Sequence, residues 1–188
     1  MFKSGLTFFF TLFFLLTGWL NLEAAIAAPP VLNSSLQSFS SAPIVGTAMG
    51  SKSLFSFSGK RPTNLGVTAG KLAPCPSSPN CVSSQASESD SEHQIGAIAY
   101  KSSGTALSNL KSVIEGMERT NIVAATNDYL YVEFTSALMG FVDDVEFYLD
   151  SDAGVLQVRS ASRLGESDLG VNRKRVEEIR SKFAALEA

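Results

Sequence analysis

The chain has 188 residues, a formal charge of −3 from 15 basic and 18 acidic side chains, and only two cysteines. A balance this close to neutral indicates neither a nucleic-acid surface nor a strongly anionic tail, and the length fits a single folded domain behind a leader.

The leader comes first. Lys3 precedes an uncharged, largely apolar run from Leu6 to Leu20, and Ala25-Ile26-Ala27 matches the small-residue cleavage pattern. This is the anatomy of a secretory signal peptide over residues 1–27, with Ala28 as the mature N-terminus. The alternative is an uncleaved membrane anchor, because the run approaches the roughly 17–25 residues that a span needs. No cysteine follows for lipid attachment, and no Arg-Arg pair precedes the run, which points to the general secretion route. The leader is not rich in Arg and Ser as organelle transit peptides are, so a bacterial chain exported directly is expected.

Residues 28–64 are rich in Ser, Pro and Gly and carry no sustained period of 2 or 3.6, so they read as a linker or a loosely docked arm. The folded unit is expected over 65–188. Both cysteines fall at its start, in "PCPSSPNCVSSQ" (74–85). Exported compartments are oxidising and the count is even, so a Cys75–Cys81 disulfide is expected. A redox-active pair and a metal site are the competing readings. The spacing is not C-x-x-C, and two thiolates with His93 fall short of four zinc ligands. His93, in "SESDSEHQ", reads as a solvated loop residue. Glu88, Asp90 and Glu92 beside it lack the calcium-loop pattern and its glycine. No cofactor and no metal is expected.

Elements then follow in order. "QIGAIAY" (94–100) reads as a strand. "TALSNLKSVIEGME" (105–118) is an amphipathic helix on Leu107, Leu110, Ile114 and Met117, capped by Ser103 or Thr105. "NIVAAT" (121–126) and "YLYVEFTS" (129–136) form a hairpin about Asn127-Asp128, and "FVDDVEFYLD" (141–150) and "VLQVRSASR" (155–163) form another about 151–154. "NRKRVEEIRSKFAALEA" (172–188) is a closing helix with Asn172 as N-cap. The order β-α-β-β-β-β-α predicts an α+β fold, with an antiparallel sheet carrying both helices on one face. The TATA-binding-protein architecture has the same order, an analogy of shape alone.

Register sharpens this. Pairing Asp150 with Val155 sets Leu149 opposite Leu156, Phe147 opposite Val158, Val145 opposite Ser160 and Asp143 opposite Ser162. The other face sets Glu146 against Arg159, with Asp144 diagonal to Arg159 and Arg163. Asp143 shares the apolar face and needs partners there. "RKR" (173–175) opposes the macrodipole of the closing helix and also needs compensation. At least one of Arg159, Arg163 and Arg173 is therefore expected to reach Asp143 or Asp168. The candidate site is Asp143, Asp144, Arg159, Ser160, Ser162, Arg163, Asp168, Asn172 and Arg173. It is either a network fixing the helix to the sheet or a pocket for an anionic group.

"CPSSPNCVSSQ" (75–85), "FVDDVEF" (141–147) and "RSASRLGESDLGVNRKRVEEIR" (159–180) together resemble the DUF1499 family, over roughly residues 65–186. The family occurs in bacteria and photosynthetic eukaryotes, some of whose members are placed in the chloroplast lumen. The resemblance implies a domain and no reaction, and a cyanobacterial source would suit the direct export signal. The expected localisation is the periplasm or the thylakoid lumen. The expected function is a non-enzymatic binding or assembly factor for a protein partner or a small anionic ligand. Neither nucleic acid nor membrane is an expected partner, apart from the leader if it is retained. An enzyme using the Asp/Arg cluster is the alternative, although no G-x-S-x-G or other nucleophile–base pair is present.

Overall fold

The computed structural model describes residues 57–188; the leader and the linker up to residue 56 lie outside them. The elements are β1 (Cys81–Ser83), β2 (Ile98–Ala99), α1 (Ser103–Glu115), β3 (Thr120–Ala125), β4 (Tyr129–Thr135), β5 (Val142–Asp150), β6 (Val155–Ser162) and α2 (Val171–Leu186). All strands are antiparallel in the order β1-β6-β5-β4-β3, and β2 pairs with β6 as well. The predicted α+β order is present, with one additional strand in front. β1 went unpredicted because three residues in a proline-rich loop carry no period; pairing with β6 makes them a strand. The predicted strand over 94–100 contracts to Ile98–Ala99, and Arg180 of α2 donates to the carbonyls of Gly96 and Ala97 just before it.

The β5–β6 register is the predicted one, including Asp150 opposite Val155, Glu146 opposite Arg159 and Asp143 opposite Ser162. β-Strand alternation places Val145, Phe147, Val158, Leu156, Val132 and Leu130 on one face, where α1 and α2 cover them. Ala106, Leu110 and Ile114 from α1, with Val176, Ile179 and Phe183 from α2, complete that core. Burying each of its larger side chains contributes roughly 1.5–3 kcal/mol. Helix-to-sheet packing therefore holds the two amphipathic helices in place.

The helix starts differ from expectation. α1 is capped at Ser102, one residue before the predicted pair, and has no side-chain cap. α2 has Gly170 at its cap, in left-handed backbone with φ 77°. Asp168 does the capping, accepting from Gly170 N at 2.9 Å and Asn172 N at 2.7 Å. Asn172, the predicted cap, lies inside the first turn and is buried.

Candidate functional site

The alternation of β5 divides the acidic residues "DDVE" between two faces. Asp144 and Glu146 point away from the helices, and β4 and β6 supply the same face with Tyr129, Tyr131, Glu133, Arg159 and Ala161. This face is polar but buried. Glu146 is wholly buried and accepts from Tyr129 Oη at 2.8 Å, Gly66 N at 2.7 Å and Arg159 Nη1 at 3.4 Å. Asp144 accepts from Tyr131 Oη and from Arg163, through Nε at 2.9 Å and Nη2 at 2.7 Å. Arg163 also donates to Glu133, and Arg61 reaches the same carboxylate with Nη2 at 2.6 Å while lying over the Tyr131 ring. Burial pushes the Glu133 carboxyl up, but the bonds from Arg163, Arg61 and Asn121 outweigh it and hold the pKa down at about 2. Burial, with Glu146 and Asp144 adjacent, pushes the Tyr129 and Tyr131 hydroxyls up, so both stay protonated donors.

Residues 58–66 close over this face: Gly66 N meets Glu146, Arg61 meets Glu133, and Arg163 Nη1 donates to Ser58 O. The described end of the stretch read as a linker or loosely docked arm thus lies on the sheet as a strap. Its far end is held by the disulfide, where Cys75 and Cys81 are bonded with Cα atoms 5.6 Å apart. His93 secures the disulfide loop. It is 7% exposed rather than solvated, with Nδ1 2.8 Å from Asp90 Oδ2 and Nε2 3.1 Å from Ser78 O. Both partners are acceptors, so the imidazolium satisfies both with its two N–H groups. The bond to Asp90 raises the His93 pKa further than burial lowers it.

On the helix side Asp143 points inward, as expected, but its partner is Arg175, whose Nη2 lies 2.5 Å from Oδ2. Arg159 and Arg163 are on the opposite face of the sheet. Arg173 instead donates to the carbonyls of Ser91 and Glu92. Arg175 also donates to Asn172 Oδ1 at 2.6 Å and Ser160 Oγ at 3.2 Å, and stacks over Phe134 at 4.9 Å. Asn172 Nδ2 donates to Ser162 Oγ and Asn80 O, both at 3.0 Å, which ties α2 to β6 and the disulfide loop. The predicted constellation is therefore two networks separated by the sheet. Asp144, Arg159 and Arg163 belong to one, Asp143, Ser160, Ser162 and Asn172 to the other. Asp168 caps α2, and Arg173 binds the 91–92 turn.

The helix-side network opens into a cleft of about 500 Å³ between the α1–β3 junction, the adjoining ends of β4 and β5, and α2. Asp143 and Arg175 form part of its wall, beside Arg119, Lys174 and Lys182. Four basic side chains face three acidic ones, Glu118, Asp143 and Glu178, each of which already pairs with one of them. Lys174 is the surplus cation, exposed at the mouth. Sequence reasoning marked Lys174 and Arg175 only as part of "RKR", charge that needs compensation, left both out of the candidate site, and missed Arg119; Asp143 does compensate Arg175. The i, i+3 spacing from Asn172 to Arg175 was the available signal. Tyr131 and Glu133 were missed too, although alternation along β4 sets them opposite Glu146 and Asp144. Among the described residues no group of three or more His, Cys, Asp or Glu is placed to hold a metal ion.

The family model described as "Protein of unknown function (DUF1499)" matches residues 71–183, which include both cysteines of the disulfide, all six strands and most of α2. No curated protein and no solved structure matches the chain. The motifs at 75–85, 141–147 and 159–180 and a match across more than half the length agree: the chain belongs to the DUF1499 family.

Proposed function

We propose that this protein is an exported, non-enzymatic binding domain whose working site is the cationic cleft beside α2, taking an anionic group from a protein partner or a small ligand. The observation that carries this reading is the contrast between the two networks. The carboxylates Asp144, Glu146 and Glu133 are engaged by arginines and tyrosines beneath the strap, which suits a structural lock. Glu133, held near 2, stays ionised and is no proton donor at working pH. The cleft keeps an exposed, surplus lysine beside arginines already oriented by Asp143 and Glu118. Arginine forks and a lysine point charge are the chemistry that receives phosphate or carboxylate. Export is supported by the apolar run with its small-residue exit and by the disulfide, which persists in oxidising compartments.

The test is calorimetric titration of the exported protein with phosphate, citrate and an acidic peptide. Wild type should bind at least one of them. Lys174→Glu should weaken that binding about tenfold or more with an unchanged melting temperature. Equal binding by both proteins, or by neither, would remove the cleft from consideration. N-terminal sequencing of the same sample should read from Ala28; a membrane-embedded chain starting at Met1 would contradict export with cleavage.

A further inference from the structure

Among the described residues the large apolar side chains left exposed are Phe57, Leu138, Phe141, Leu164, Leu169, Val171 and Leu186. Scattered exposed leucines need no explanation, but these are not scattered. All except Leu186 lie at one end of the sheet. Leu138 and Phe141 sit on the β4–β5 hairpin, and Leu164 and Leu169 on the loop from β6 into α2, which Val171 begins. The chain reaches this same end at Phe57, whose ring lies 5.8 Å from that of Phe141 and whose N–H donates to Met139 O. The opposite end, with the 151–154 turn, has none of these loop residues. Leu138 is 68% exposed and Leu169 87% exposed. Leu169 is also held at φ 55°, a left-handed conformation that a leucine adopts at a cost. A glycine or asparagine would suit that backbone better, so the outward leucine is itself the unusual feature.

We infer that this apolar end rests on a lipid surface with anionic headgroups, the loop tips entering the interface while the adjoining cleft meets the headgroups. Three observations favour lipid over a shaped protein partner. The tips stand out on two separate loops, the β4–β5 hairpin and the β6–α2 loop, which suits a fluid apolar medium. Val171 belongs both to the rim and to the cleft, and Lys174, the cleft's surplus cation, stands one turn along α2 from it, so a free positive charge borders the apolar tips, a combination that anionic interfaces bind. The described chain enters the domain at this rim, through Phe57, so the apolar run Leu6–Leu20 is joined to the domain from this end. The role of the cleft here rests on the proposed anion site; the role of the tips does not.

The experiment uses the full chain with Ala137→Cys on the hairpin tip, labelled with an environment-sensitive dye, and Ala153→Cys on the far turn as control. The native cysteines are bonded to one another, so one thiol is free in each variant. Vesicles are of phosphatidylcholine alone or with an anionic phospholipid. The label at 137 should shift to the blue on anionic vesicles and several-fold less on neutral ones, while the label at 153 stays unchanged. Adding Leu138→Glu and Leu169→Glu should abolish the shift at 137. A shift at 137 that is equal on both vesicles supports docking and overturns the contribution of the cleft. No shift on either vesicle, an equal shift at 153, or a shift that appears with protein concentration alone overturns lipid docking; the last assigns the rim to a second copy of the chain.

Discussion

Removing the charges under the strap should cost stability in an order set by what each removal leaves behind. Arg163→Ala strands Asp144, which is 1% exposed, with Tyr131 as its remaining partner. An uncompensated buried charge of this kind costs about 3–5 kcal/mol, and this case belongs at the upper end. Asp144→Ala strands Arg163, but Glu133 still accepts from it, so the cost should be near the lower end, about 3 kcal/mol. Asp143→Ala should cost less than either. Arg175 keeps Asn172, Ser160 and the Phe134 face, and it opens onto the cleft. Against a total stability of about 5–15 kcal/mol, the first substitution approaches unfolding. Urea unfolding followed by far-ultraviolet circular dichroism is the assay, because the single tryptophan, Trp19, lies in the leader. The double variant Asp144→Ala/Arg163→Ala should cost less than the sum of the singles, with a coupling of about 1–3 kcal/mol. Additive losses, or Asp143→Ala as the most damaging of the three, would refute the assignment of this face to structure.

Reduction of the disulfide, or Cys75→Ser with Cys81→Ser, should destabilise by about 2–2.5 kcal/mol from loop-closure entropy. Alkylation and mass spectrometry should find no free thiol before reductant, and two free thiols would contradict the bond. His93 has a folded pKa above its usual 6.5, so its contribution is complete below that pH and is lost as pH rises through the folded value. Stability should thus decline from mildly acidic to mildly alkaline pH, and His93→Gln should flatten the decline; an unchanged profile would contradict the His93–Asp90 pair. Glu133 works in the opposite direction. Its stabilisation is complete above the unfolded value of 4.5 and is lost as pH falls towards about 2, so Glu133→Gln should reduce acid sensitivity in that window.

Local periodicity accounts for what the sequence made legible. A four-residue turn between alternating strands set the register of β5 against β6 pair by pair, and with it the inward Asp143 and the Glu146–Arg159 pairing. Helix spacing located the apolar stripes of α1 and α2. Non-local contacts account for the rest. His93 lies among serines and acids and reads as solvated; its burial comes from the disulfide loop folding back so that Ser78 O meets its ring. Helical spacing from Val176 and Phe183 puts Arg173 on their side of α2 and so favours it over Arg175. In the fold that side meets the 91–92 turn, and the residue one turn after Asn172 faces Asp143. Register already sets Asp143 and Asp144 on opposite faces of the sheet, so the single candidate cluster spans two sites; what local pattern hides is the strap that buries the second face, which comes from residues 58–66, outside any strand.

The central claim is that the cleft beside α2 receives an anionic group. Side-chain NMR of the arginine and lysine groups, recorded while the exported protein is titrated with phosphate, tests it most directly. The account predicts saturable shifts confined to Arg119, Lys174 and Arg175, with Arg159 and Arg163 unmoved beneath the strap. Saturable shifts at Arg159 and Arg163, or none anywhere, would contradict it.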